Sequence, residues 1–339
     1  MENAPEFRSR EDKLNKYLDS LVKDFLFDEL SEEYIVRHDI SFMNGVAVPF
    51  RTQDLVSIQN KGADPSVIVD NMAMIIGSNI KFPYVNQYMK FMAKFFNEKL
   101  VDVYASNGAN ALVEGEFRMA CAYYRTALML DSKHQMAMFG YACACREWYL
   151  SLEGEDNVNE LIETLKQEST EYFEWCIIEH PQFAASYYYL GFAYLNAALY
   201  GKAQFIWQRF IDLSEDKAKK EVQEIQSRVT ELDDPVKIED GINKLTTGDI
   251  ESGLKILEPY VDSEYGTWWP LHFYLAAAYR ELDHIPEAIE GYKRVLKLNA
   301  SNVEACQALA EIYQELGDEE NHKKYAQKSE IITNNREIN

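Results

Sequence analysis

The chain has 339 residues, 47% hydrophobic and 27% charged, and a formal net charge of −22. Those proportions describe a folded protein of two ordinary domains or one extended array. The acidity argues against nucleic acid or an anionic membrane as partner, because both need clustered Lys and Arg.

Nine prolines and fifteen glycines are few and favour helix over a turn-rich β architecture. The first residues, MENAPEFRSRED, carry no basic-then-apolar leader. The weakly charged run 183–200 holds Ser186, Asn196 and several tyrosines, which makes it a poor membrane span. No membrane insertion is expected, and the expected location is the cytoplasm. Cys121, Cys143, Cys145, Cys176 and Cys306 form no C-x-x-C pair and fall in helical patterns, so buried reduced thiols are expected. Cys143 and Cys145, two apart on a helix, point to different faces, which is poor metal geometry.

In chain order, Ser9-Arg10-Glu11-Asp12 has the form of a capping box. It predicts an amphipathic helix striped by Leu14, Tyr17, Leu18, Leu21, Val22, Phe25, Leu26 and Leu30. Asn44-Gly45, flanked by apolar residues, predicts a short two-residue hairpin or an extended arm, with Pro49 confining the second strand to an edge or end. Asp64-Pro65 restarts helix, and segments 65–77 and 83–95 are expected to pair antiparallel.

From Val101 a repeat emerges. Residues 101–134 hold Tyr104, Gly108, Gly115, Phe117, Ala120, Tyr124, Ala127 and Leu130, and the next unit begins at Gln135. Residues 184–217 carry the strongest copy, with Tyr187, Leu190, Gly191 and Tyr194 on a first helix and Ala203 and Trp207 on a second. Small residues stand where two helices must approach, and large ones fill the space between turns. The unit at Gln135 carries about fifteen extra residues around 152–161, relative to a repeat period of about 34. Residues 216–232 read as one more helix, which Asp233-Asp234-Pro235 should end. A degenerate unit spans 236–264 and a clear one 269–302. The last, 303–333, has His322 in place of the small residue of its second helix.

This pattern resembles the tetratricopeptide repeat, a helix–turn–helix unit of W-x2-L-G-x2-Y…A-x3-F…P type. The resemblance covers about 200 residues and implies an all-α, right-handed superhelix (an α-solenoid) behind a helical N-terminal region with its short hairpin or arm. The expected organisation is an N-terminal helix plus arm over 1–64 and a first array over 65–232 with an insertion near 150–160. A second array over 235–333 and a disordered tail over 334–339 complete it.

Chemistry-bearing motifs are not found: no G-x-G-x-x-G, phosphate loop, G-x-S-x-G or H-E-x-x-H occurs. The six histidines are scattered singly, and His134 and His180 sit at repeat ends, where a helix-terminus or packing role is expected. No catalytic residue, metal or cofactor is assigned. The resemblance implies that the first helix of each unit lines a concave surface where partner segments lie. That places Phe139, Tyr188, Tyr189, Phe192, Asn196, Phe273, Tyr274 and Arg280 on that surface, with the aromatic residues forming an apolar floor. Glu304, Glu311 and Glu315 form a negative C-terminal end. The competing reading has the aromatics pack against the N-terminal helix or hairpin. The Lys, Asn and Arg clamp by which some units grip acidic chaperone tails is missing, the matching positions being Ala105, Ala109, Gly140, Ala185 and Tyr189. The expected function is a non-catalytic protein-binding adaptor or assembly factor holding an apolar or extended segment. A secretion-type chaperone and a peptide-sensing regulator are the alternatives among binding proteins; an enzyme using the repeats as scaffold is the alternative of another class.

Overall fold

The computed structural model describes residues 11–52, 64–96, 99–216 and 219–337. The chain divides into two compact units, Met1–Val222 and Gln223–Asn339. The fold class is the expected one, all-α apart from one small sheet near the N-terminus.

Ser9 and Arg10 of the expected capping box lie outside the described residues. Asp12 is described, and its carboxylate accepts the N–H groups of Leu14 and Asn15 at 3.2 and 3.1 Å, which caps α1 (Asn15–Leu18). A 3-10 turn follows over Asp19–Val22, and there the expected long helix stops. Phe25–Glu29 is instead a strand, β1, paired antiparallel with β2 (Ala47–Arg51), with Phe27 opposite Pro49. Pairing with a distant strand has overridden the local helical stripe, as happens where adjacent bulky apolar residues find a cross-strand partner. Asn44-Gly45 is therefore not a two-residue hairpin. It links a 3-10 turn at Ser41–Met43 to β2, with Gly45 at φ 69°, and the partner strand lies before α2 (Glu32–His38).

Asp64 caps α3 (Pro65–Ser78) by accepting the Ser66 N–H at 2.8 Å, and Pro65 occupies the first turn, where its missing N–H costs nothing. After α4 (Val85–Phe95), α5 (Leu100–Val113) and α6 (Phe117–Leu130) form a hairpin. The expected pairing of α3 with α4 is secondary, because α3 packs more extensively along α6. Gly77 makes that approach close: a Cβ there would stand 2.0 Å from the Ala122 carbonyl oxygen. Two further hairpins follow, α7 (Gln135–Ser151) with α8 (Asn159–Glu179) and α9 (Ala184–Asn196) with α10 (Tyr200–Leu213). In the last of these a Cβ on Gly191 would sit 2.1 Å from the Trp207 indole nitrogen, which donates to the Tyr188 carbonyl at 3.1 Å. The ring is fully buried, and only a glycine lets it lie across α9.

In the second unit, α12 (Asp233–Thr246) pairs with α13 (Ile250–Leu257), α14 (Trp269–Glu281) with α15 (Ile285–Leu298), and α16 (Val303–Glu315) with α17 (Glu319–Glu337). The helix that Asp233-Asp234-Pro235 was expected to end does stop at Glu231, and those residues then form the first turn of α12, where proline is tolerated and carboxylates favour the helix dipole. The division between units falls earlier, inside α11 (Lys220–Glu231). At the C-terminus, α17 continues to Glu337, past the point where disorder was expected to begin. His322 has a use in this helix: its Nδ1 lies 2.9 Å from the Ala310 carbonyl oxygen on α16.

Because unit 2 has its own apolar cores, one around Leu257 and Leu271 and another around Tyr292 and Leu309, separate folding is expected. Fragments 1–219 and 220–339 should each be soluble and helical by circular dichroism. If neither is, the array is one cooperative unit.

Candidate functional site

In the first unit, α9 presents Tyr188, Tyr189, Phe192 and Asn196, and α7 presents Phe139; the four rings are half-buried and Asn196 is exposed. Helical periodicity brings Tyr188, Phe192 and Asn196 to one face, four residues apart. The structure gathers these rings into a continuous seam. Tyr189 stacks on Phe173 of α8, centroids 5.7 Å apart and planes at 7°, and meets Phe139 at 5.8 Å. The guanidinium of Arg146 lies 5.3 Å over the Tyr189 ring. Tyr188 joins Tyr189 to Phe192 and reaches Phe210 on α10, while Phe192 meets Trp207 edge-on at 4.9 Å. Burial pushes the Tyr189 phenol above its ordinary pKa, so it stays neutral and available as a donor through the physiological range. Of the described N-terminal residues, α1 packs against α6 and β2 against α3, and Lys16 pairs with Glu160 of α8 at 2.7 Å.

Beside the seam, Asn196 lines a cleft of about 420 Å³ with Tyr149, Lys166, Glu174 and Ala193. Sequence reasoning passed over Tyr149, Lys166 and Glu174. The cleft is lined by the end of α7, by α8 and by the end of α9, in the unit whose excess length was its one signal in the sequence. Several of its polar groups are tied to helix partners: Lys166 pairs with Glu163 at 2.9 Å, and the Tyr194 hydroxyl donates to Glu174 at 2.6 Å.

The other predicted residues lie in the second unit and form a separate surface. Phe273 packs on Tyr292 at 5.6 Å and, edge-on, on Tyr274, so both rings serve the helix packing as well as the surface. Arg280 forks onto two glutamates of α16, with Nη1 2.8 Å from Glu311 and Nη2 2.9 Å from Glu315. Three residues assigned to partner binding thus hold one another. The negative end expected from Glu304, Glu311 and Glu315 is partly neutralised, leaving Glu304 as the exposed carboxylate of the three outside that fork. A cleft of about 450 Å³ lies along α14 and α15, lined by Val261, Asp262, Tyr279, Glu287, Glu290 and Arg294 among others.

Three of the six histidines sit at or near helix ends. His134 caps α7 by accepting the Ala137 N–H through Nδ1 and reaches Asp102 at 3.1 Å through Nε2. His180 and His272 bond the carbonyls of Lys133 and Gly266 at 2.6 and 2.8 Å. All five thiols are free and mostly buried; Cys121 and Cys145 approach to 4.0 Å. Burial pushes Cys143 up to about 12 and Cys176 to about 11, which suppresses the reactive thiolate. Among the described residues no group of three or more His, Cys, Asp or Glu is placed to hold a metal ion, and no helix is long and apolar enough to cross a membrane.

No protein-family model and no curated protein matches the chain. Solved structures similar to it include the crystal structure of the MamA protein, at 14% identity and a TM-score of 0.28, covering 71% of this chain and 95% of that one. The P58(IPK) TPR domain aligns at 16% identity and a TM-score of 0.37, covering 68% of this chain and 59% of that one. PilF of Pseudomonas aeruginosa aligns at 14% identity and a TM-score of 0.30, covering 67% and 89%. The repeat assignment rests on the packing of this chain's own side chains, above all Gly191 against Trp207.

Proposed function

We propose that this tetratricopeptide-repeat chain is a non-catalytic adaptor whose first unit holds an extended, apolar segment of a partner protein along the α7–α9 surface. The observation that carries this reading is the seam of half-buried rings from Phe139 to Phe192. Rings fixed by one another lose little entropy on binding, and Tyr, Trp and Arg dominate the energetics of protein interfaces. Arg146 over Tyr189 is paired with Glu147, so a neutralised charge pair borders that floor. The net charge of −22 favours partners carrying Lys or Arg over polyanions.

The test begins with affinity capture from native lysate and identification of a stoichiometric partner. Tyr189→Ala should then weaken that partner's binding by about 2 kcal/mol or more at every ionic strength. Raising the salt concentration should leave that loss largely unchanged, since the ring contacts are apolar and exposed charge pairs are worth only ~0–1 kcal/mol and are screened. A Tyr189→Ala variant that melts much lower yet binds undiminished would show that the ring is structural only. Turnover of a small molecule by the purified chain would favour an enzyme instead.

A further inference from the structure

The N-terminal sheet lies outside the ring seam in the contacts it makes. The sheet has two strands, so one long edge of each is not paired to a strand among the described residues. Which backbone groups of β1 face outward follows from β2. The Pro49 carbonyl accepts from Asn71 Nδ2 at 3.3 Å and the Ala47 carbonyl from the Tyr88 hydroxyl at 2.5 Å. Those alternate residues therefore turn their backbone groups away from β1, toward α3 and α4. Opposed residues of an antiparallel pair share their bonding state. With Phe25, Phe27 and Glu29 facing Arg51, Pro49 and Ala47, these three turn their N–H and C=O groups to the outer edge. The Glu29 N–H is taken by the Asp28 carboxylate at 2.8 Å. Phe25 and Phe27 are left with the two-residue spacing that an added strand requires.

The side chains fit such an addition. Leu26 and Phe27 are 52% and 43% exposed, on opposite faces, although proteins ordinarily shield an apolar edge strand. The charge around them is negative on balance: Asp28 and Glu29 lie on the strand and Asp24 and Glu32 flank it, against exposed Lys23 and an Arg51 held over the Phe25 ring. Arg37 is spent on Glu33. A second copy of so acidic a chain is repelled, whereas a basic segment is attracted. We propose that the outer edge of β1 takes up an extended segment of a partner protein, apolar residues alternating with Lys or Arg, as a third antiparallel strand. Main-chain bonds to Phe25 and Phe27 give the register, Leu26 and Phe27 give the apolar contact, and Asp28 and Glu29 select for basic partners.

The full chain can be tested with a capped hexapeptide of alternating lysine and valine. Binding should be lost when the peptide is N-methylated on the residue set facing β1 and kept when the other set is methylated. The amide protons of Phe25 and Phe27 should become protected from exchange in the complex. Phe27→Pro removes the outward N–H at an edge position where proline is tolerated, together with the ring that meets the peptide and stacks on Phe82 at 5.8 Å, so it should weaken binding about tenfold or more and lower the melting temperature modestly. Glu29→Lys provides a second reading and should weaken binding at low salt. Three results would overturn the proposal: no binding of the unmethylated peptide, indifference to which set is methylated, or a concentration-dependent dimer in sedimentation that Phe27→Pro abolishes. The last would make the occupant a second copy.

Discussion

Asp12→Ala is expected to cost about 3–5 kcal/mol of stability, the range for breaking one partner out of a buried ion pair. Arg125 of α6 is 1% exposed, and its Nη2 lies 2.6 Å from Asp12 Oδ2. The same carboxylate accepts the N–H groups of Leu14, Asn15 and Ile80. Alanine would leave a guanidinium inside the protein without its bonded counter-charge and free three backbone donors at once. The Arg125 Nε and Nη1 already lack hydrogen-bond partners, so the side chain has no reserve of bonds to fall back on. Glu168 is also nearby and buried, but its carboxylate is bonded by the Tyr141 hydroxyl at 2.9 Å. Urea denaturation of wild type and variant measures the difference. The double change Asp12→Leu with Arg125→Met should recover much of the loss, because no charge then stays buried. A single variant within ~1 kcal/mol of wild type would show that the N-terminal segment is not anchored by this pair.

The second large effect is expected at Ala203→Arg, with a loss of order 2–5 kcal/mol from overpacking and charge burial together. Ala203 has no exposed surface, and Trp207 lies one turn further along the same face of α10, also fully buried. A long cationic side chain would have to displace the indole. That displacement would break its bond to the Tyr188 carbonyl and shift Phe192, so the ring seam should suffer with the fold. The equivalent positions Ala120 and Ala288 are likewise fully buried, which fixes the register of the repeat in three hairpins. Thermal unfolding followed by circular dichroism decides. An unchanged melting temperature would mean that Ala203 does not face the helix pair.

The repeats were legible because their determinants are local and periodic: Gly191 and Trp207, or Ala120 and Tyr124, recur at positions that only a helical hairpin explains. The N-terminal strand was not. Leu14 and Leu18 do sit on a buried helical face, but the stripe runs on by coincidence into Phe25 and Leu26, which a partner strand at Ala47–Arg51 claims. Asp12 and Arg125 are 113 positions apart, and no local pattern announces such a pair. Asp233-Asp234-Pro235 was legible as the end of one helix, and what it left unsaid is that the same residues open the next. At the candidate site the seam residues were identifiable by repeat position, and Arg280 and the α16 glutamates were found as well. What the sequence could not show is that those three bind each other, because that depends on the spacing of α14 and α16 in space.

Photocrosslinking tests the central claim most directly. A benzophenone amino acid placed at Asn196, exposed at the end of the seam, should yield one adduct with the captured partner, mapping to a single extended segment. The same group at Phe205, exposed on α10, should yield none. An adduct from Phe205 with none from Asn196 would contradict the account, because the partner would then lie on a face that the ring seam does not reach.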